Sequence, residues 1–110
     1  MENFLKRVPL FRGLAEADLL ALADVALKQS FKKHSLVILA EDPGDTFFVI
    51  RSGRVKVSVT GTDGREIILA LLGPGEFFGE LSLLDGDPRS ADVSTMVATD
   101  LVAIRRADSP

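Results

Sequence analysis

Residues 54–72, RVKVSVTGTDGREIILALL, are the stretch that decides the fold class. Between residues 55 and 59 every second residue is a valine and the two between are polar, a period of two that predicts a strand with one apolar face. The tripeptide TDG at 62–64 has the composition of a hairpin turn. Residues 67–72 are apolar throughout, which predicts a second strand buried on both faces. The stretch therefore predicts a β-hairpin within a mainly β domain.

Other short runs of the same kind occur from about residue 29 onward, separated by glycine, proline and aspartate. The predicted strands are 36–39, 46–51, 54–60, 66–72, 92–97 and 101–105. Many short strands with turns between them indicate a β-sandwich, jelly roll or barrel.

Residues 1–27 have a different pattern, with apolar residues at helical spacing after a short leading helix at 3–7. The residues of this broad apolar face are Leu19, Leu20, Leu22, Ala23 and Ala26. We expect these helices to pack at the N-terminal side of the β domain.

Composition limits the possible functions. The chain has 110 residues, enough for one domain, and no cysteine, so disulfides and thiolate metal sites are excluded. Its net charge of −3 disfavours binding to a nucleic-acid backbone. No apolar run approaches the about 20 residues of a membrane helix, and no signal-peptide stretch follows the first charges. We expect a cytoplasmic protein without membrane contact.

Residues 79–85, GELSLLD, interrupt the strand pattern because they lack β-branched side chains. We predict a single helical turn here, whose unpaired N–H groups would attract an anion. Gly79 would allow close approach, the Arg89 guanidinium would suit a phosphate, and the Glu80 carboxylate would suit a sugar hydroxyl. An ion pair between Glu80 and Arg89 that only stabilises the turn is the alternative, and spacing leaves both open.

The run GELSLLDGDPRSA at 79–91 resembles the phosphate-binding cassette of the cyclic nucleotide-binding domain family. The chain is most similar to the N-terminal sensor domain of Crp/Fnr-type bacterial transcription regulators. The likeness extends upstream through 43–45, 47–50, 52–55 and 73–78. It implies a double-stranded β-helix, a jelly-roll-like β-roll over 29–106, with helices over 1–27 and a short helical turn in the cassette.

The resemblance also implies roles for individual residues. Arg89 would bind the cyclic phosphate, and Glu80 would accept a hydrogen bond from the ribose 2′-hydroxyl. Backbone groups would line the ribose and phosphate at Gly79, Leu81 and Ser82.

The base side of the implied pocket involves three more residues. Ser90 would contact the phosphate or the base, and Val57 and Leu69 match positions that face the base, although a plain core role is the alternative for these two. Serine after the cassette arginine favours cyclic AMP over cyclic GMP as the effector. No metal is implied.

Regulators of this family continue into a dimerisation helix and a helix-turn-helix domain, whereas this sequence stops at Pro110. We therefore expect residues 1–110 to be one sensor domain of a larger signalling protein, with transcription regulation as the favoured output. By itself the domain is expected to be a monomer without direct nucleic-acid contact.

Two other functions are alternatives to cyclic-nucleotide binding. A metal-dependent enzyme on a similar β-roll needs several histidines, and this chain has only His34, so catalysis is not expected. A relative that has lost its ligand would serve as a protein-interaction module or sense another effector. The presence of both Glu80 and Arg89 argues against that second alternative.

Overall fold

The computed structural model describes residues 1–38, 46–79 and 91–105. Two helices, α1 (Glu2–Arg7) and α2 (Glu16–Val25), flank a 3₁₀ turn at Pro9–Phe11. The strands are β1 (Ala26–Phe31), β2 (Leu36–Ile38), β3 (Thr46–Ser52), β4 (Val55–Thr60), β5 (Glu66–Leu72), β6 (Phe77–Phe78), β7 (Asp92–Thr95) and β8 (Thr99–Arg105). All six runs predicted from the sequence form strands, and the domain is mainly β as expected.

These strands form two antiparallel sheets of four, in the orders β1-β8-β3-β6 and β2-β7-β4-β5. Short turns connect the sheets, since residues 53–54 join β3 to β4 and residues 73–76 join β5 to β6. Strands joined in this way lie across the sandwich from each other. Strands β5 and β6 therefore terminate their respective sheets at the same edge of the sandwich.

Two apolar clusters hold the layers together. The first lies between the sheets and consists of Phe48, Ile50, Val55, Phe78, Val93, Leu101 and Ala103. The second lies between the helices and the outer face of the first sheet, and consists of Leu5, Val8, Leu19, Phe47, Val49, Val102 and Ile104. Strands β3 and β8 contribute to both clusters because successive side chains of a strand point to opposite faces.

The predicted boundary between helices and strands was wrong by a few residues. Helix α2 ends at Val25 instead of residue 27, and β1 begins at Ala26 within the region predicted to be helical. Neither β1 nor the two-residue strand β6 was predicted. Strand β1 has little apolar alternation and is mostly exposed, and it is a strand because six of its residues pair with β8. The local sequence of β1 does not distinguish helix from strand, so its pairing with β8 determines its secondary structure.

The apolar face predicted for α2 is narrower in the structure. Leu19 is buried and Leu22 and Ala23 pack against the helix-side cluster, whereas Leu20 is exposed. A helix that lies on one sheet buries only the stripe that faces that sheet.

The prediction that residues 67–72 are buried on both faces was also wrong. Strand β5 is the last strand of its sheet, and four of its large apolar side chains are about half exposed. They are Ile67, Ile68, Leu69 and Leu71. A continuous apolar run is typical of a central strand covered on both sides, and β5 has a neighbouring strand on one side only.

Candidate functional site

Three of the eight predicted site residues lie in the described part of the chain, namely Val57, Leu69 and Gly79. The other five, Glu80, Leu81, Ser82, Arg89 and Ser90, lie outside the described residues, as does the predicted helical turn. Their roles remain predictions. The described residues nevertheless define the position at which the predicted cassette begins and the surface beside it.

A β-bulge in the β4–β5 hairpin shapes that surface. Val57 pairs with Ala70, whereas its neighbour Ser58 pairs with Ile68, so Leu69 is an extra residue on β5. Such a bulge places two residues of one strand opposite one residue of its partner. Leu69 and Ala70 therefore both lie opposite Val57.

The bulge changes which side chains face the interior of the sandwich. Val57 packs against the core between the sheets, so its partner Ala70 lies on this inner face. Ser58 and Ile68 lie on the outer face, and alternation then returns Leu69 and Ile67 to the inner face. Hence Leu69 and Ala70 are adjacent in sequence and share one face of the sheet.

The inner face of this hairpin forms an apolar wall, which we define as Val57, Val59, Ile67, Leu69 and Ala70. Its outer end is uncovered, since Leu69 is 58% exposed and Ile67 is 53% exposed. An apolar surface without hydrogen-bonding side chains suits the face of a planar base. The structure thus places Val57 and Leu69 on one surface, as the sequence-based assignment requires.

Three members of this apolar wall were not predicted as site residues: Val59, Ile67 and Ala70. Counting back from the turn would have shown Val59 opposite Ile67, because a hairpin pairs residues symmetrically about its turn. Ala70 could not be found in this way, since its position depends on the bulge.

Gly79 marks the start of the predicted cassette and has a φ of +93°, in the left-handed region that side-chain-bearing residues rarely adopt. It directly follows β6, which pairs with β3 through Phe48 and Val49. Gly79 therefore lies at the edge of the sandwich where the apolar wall is open. From the sequence, Gly79 was predicted to allow close approach of a ligand. The structure adds a second reason for glycine at this position, which is the positive φ of the backbone.

The outer face of the same hairpin, opposite the apolar wall, carries an ion pair between Lys56 and Glu66. Lys56 Nζ lies 2.9 Å from Glu66 Oε1, and the Ser58 hydroxyl donates to Glu66 Oε2 at 3.1 Å. The hydrogen bond from Lys56 lowers the pKa of Glu66 below its ordinary value, and the Ser58 hydroxyl acts in the same direction. Ser58, one of the polar residues between the valines, is only 3% exposed, and its hydroxyl is bonded to Glu66.

Neither a metal-binding cluster nor a membrane-spanning helix is present in the described part of the chain. Within residues 1–38, 46–79 and 91–105, no three histidine, cysteine, aspartate or glutamate side chains form a group that could hold a metal ion. The helices in those ranges are also too short or too polar to cross a membrane.

Two facing sheets, N-terminal helices and an open apolar wall at one edge define a β-roll of the kind that accommodates a small ligand at its open end. The sequence model of the cyclic nucleotide-binding domain family matches residues 28–109 of this chain. This chain belongs to the cyclic nucleotide-binding domain family. The resemblance to this family and the predicted β-roll are both confirmed.

Individual relatives come from more than one branch of the family. The chain is 33% identical, over 96% of its length, to a CRP-like cAMP-activated global transcriptional regulator from Mycobacterium tuberculosis, and spans 47% of that protein. It is 37% identical, over 83% of its length, to a cGMP-dependent protein kinase from Drosophila melanogaster, and spans 10% of it. The chain thus spans less than half the length of these relatives.

A solved structure of similar extent is the N-terminal domain of a transcriptional regulator from Streptomyces coelicolor. It superposes with a TM-score of 0.82 at 35% identity, and the match covers 93% of this chain and 73% of that one. The likeness to the sensor half of bacterial regulators, inferred from the sequence, is therefore confirmed.

Proposed function

We propose that this domain binds a cyclic nucleotide, with cyclic AMP favoured over cyclic GMP, as the cytoplasmic regulatory sensor of a larger signalling protein. The observation that carries the proposal is the uncovered apolar wall beside Gly79, where the cassette-like sequence begins. A base on this wall would leave its ribose and phosphate near Gly79, the first residue of the cassette-like sequence. Membership of the family supplies the ligand class.

In the proposed complex Arg89 binds the cyclic phosphate and Glu80 accepts a hydrogen bond from the ribose 2′-hydroxyl. Backbone groups of Gly79, Leu81 and Ser82 line the sugar and phosphate. A guanidinium offers paired donors that match phosphate oxygens, and a carboxylate would repel the phosphate but accept from a hydroxyl.

The preference for cyclic AMP rests on Ser90, proposed to contact the phosphate or the base. The apolar wall itself carries no side-chain donor or acceptor, so it contributes contact area for either purine. Selection between bases therefore depends on groups outside the wall. Relatives named for cAMP activation and for cGMP dependence are both compatible with such a wall.

For the output, we propose transcription regulation, because the similarity to the Mycobacterium tuberculosis regulator extends over nearly the whole chain. Ligand contacts would bias the cassette between two conformations and transmit that bias to a segment following β8. The isolated domain is proposed to be monomeric and non-catalytic, without direct contact to nucleic acid.

Thermal-shift and calorimetric titrations with cyclic AMP and cyclic GMP test the proposal. A ligand present at 100 times its dissociation constant stabilises the native state by about 2.7 kcal/mol, so Tm should rise with cyclic AMP. Arg89→Ala should lose this effect. Arg65→Ala is the matched control, because Arg65 is an exposed turn residue whose ion pair with Asp63 spans 3.6 Å.

Equal affinities of the wild type and Arg89→Ala would contradict the role of Arg89. Absence of any shift at millimolar concentrations of both nucleotides would overturn the proposed function. That result would favour the alternative, a ligand-free relative that acts as an interaction module or senses another effector.

A further inference from the structure

Strand β6 consists of two phenylalanines whose rings enter different apolar clusters. Phe78 pairs in register with Phe48, and their rings stack with centroids 5.0 Å apart and an interplanar angle of 16°. Phe77 points to the other face, where its centroid is 5.4 Å from that of Phe47. One ring therefore lies in the core between the sheets and the other in the helix-side cluster.

The backbone before β6 is attached to the same strand, β3. Gly75 N–H donates to the Ile50 carbonyl at 2.8 Å, and Ile50 N–H donates to the Glu76 carbonyl at 2.9 Å. The Glu76 carboxylate accepts from Gly73 N–H at 2.8 Å and closes the turn. These bonds and the pairing of β6 with β3 resist rotation of the segment about the strand axis, and the side chains on its two faces add to that resistance.

Rings held on opposite faces resist that rotation, because turning β6 in either direction would withdraw one of them from its cluster. Gly79 is the next residue, and the predicted cassette begins with it. The position of Gly79 is therefore set by packing in both clusters together with the backbone pairing of β6.

We infer that Phe77 and Phe78, with their partners Phe47 and Phe48, are positioning residues for the ligand site. The inference rests on the proposed function, since it concerns the same site. A displacement of about 1 Å in a site can cost up to about a hundredfold in function, so a loss of ring packing that shifts Gly79 should lower affinity even where the domain stays folded.

Phe77→Leu and Phe78→Leu test the inference, because leucine keeps each site apolar and removes the ring contact. Each variant should bind cyclic AMP roughly tenfold more weakly than the wild type at a temperature where both are folded. Phe47→Leu removes the same contact from β3 and should reproduce the effect of Phe77→Leu. It also serves as the test if a β6 variant does not fold.

Leu101→Ala is the control, because Leu101 lies in the core between the sheets, on a strand that does not pair with β6. It should lower Tm at least as much as the phenylalanine variants and leave affinity within about twofold of the wild type. If affinity follows Tm equally in all variants, including the control, the phenylalanines are merely structural and the inference is overturned.

A second readout does not require ligand. The ¹⁵N order parameter of the Gly79 amide should fall in Phe77→Leu and Phe78→Leu and stay unchanged in Leu101→Ala. An unchanged order parameter in the β6 variants would overturn the positioning role. Failure of the wild type to bind either nucleotide would instead contradict the proposed function, so the two failures are distinguishable.

Discussion

Gly53 lies so close to Thr99 that a Cβ atom on the glycine would be 2.5 Å from Thr99 Oγ1. The same atom would be 2.6 Å from the Ala98 carbonyl oxygen, and the φ of Gly53 is +96°. Thr99 Oγ1 also accepts from Arg54 N–H at 3.3 Å. This contact fixes the β3–β4 turn against β8, and so orients the hairpin that carries the apolar wall.

Replacing Gly53 with alanine should therefore destabilise the domain by about 3 kcal/mol or more, because steric overlap with backbone atoms adds to an unfavourable φ. Urea unfolding measures the change. Gly64→Ala is the control, since Gly64 has a φ of +84° but no atom within 4 Å of the added methyl group. Its cost should be about 1–2 kcal/mol. Equal losses in the two variants would show that close packing at Gly53 contributes nothing.

A charge on the apolar wall should weaken ligand binding, whereas a charge on the outer face of the same strand should not. Leu69 and Leu71 are both about half exposed, at 58% and 49%, but face opposite sides of β5. We expect Leu69→Asp to weaken cyclic AMP binding at least about tenfold, since a base would have to desolvate the carboxylate. Leu71→Asp should bind within about twofold of the wild type. Calorimetry that showed equal losses would refute the assignment of faces.

The ion pair between Lys56 and Glu66 on the outer face should make the stability of the domain depend on pH. Because Lys56 lowers the pKa of Glu66 in the folded state, the pair contributes stability above the unfolded pKa and loses it as pH falls through the lowered folded pKa. Lys56→Met should raise the pKa of Glu66 toward its ordinary value, as measured by NMR titration. Lys28→Met, a change at an exposed lysine on β1, should leave it unchanged. A Glu66 pKa unaffected by Lys56→Met would exclude the pair as the cause.

Much of the fold follows from local patterns. Alternating valines and a turn tripeptide correctly predicted the β4–β5 hairpin, and short apolar runs predicted β2, β3, β7 and β8. Strands β1 and β6 were missed for a physical reason. A strand of two residues has no period, and β1 is held in place by its pairing with β8. In both, contacts distant in sequence supply the stability that local preference lacks.

The candidate site was likewise predicted in part from the sequence. The cassette-like motif predicted Gly79, and the resemblance to the family predicted Val57 and Leu69. The structure added that Gly79 adopts a positive φ at the edge where the apolar wall is open. It also added the anchoring of β6 by rings on both faces, which depends on residues of β3 that lie about 30 positions earlier in the chain.

Amino-acid order alone correctly predicted that residues 54–60 and 66–72 form a hairpin, and counting from the turn places Leu69 opposite Val57. It could not establish which residues of β5 face inward, because residues 67–72 are all apolar. Leucine would face the core whether the odd-numbered or the even-numbered residues pointed inward. In the structure Leu72 pairs with Val55 and packs against the core between the sheets. This pairing requires one extra residue on β5, and that residue is Leu69 in the bulge. Leu71 and Leu72 are chemically identical, so only the tertiary structure could assign one to solvent and the other to the interior.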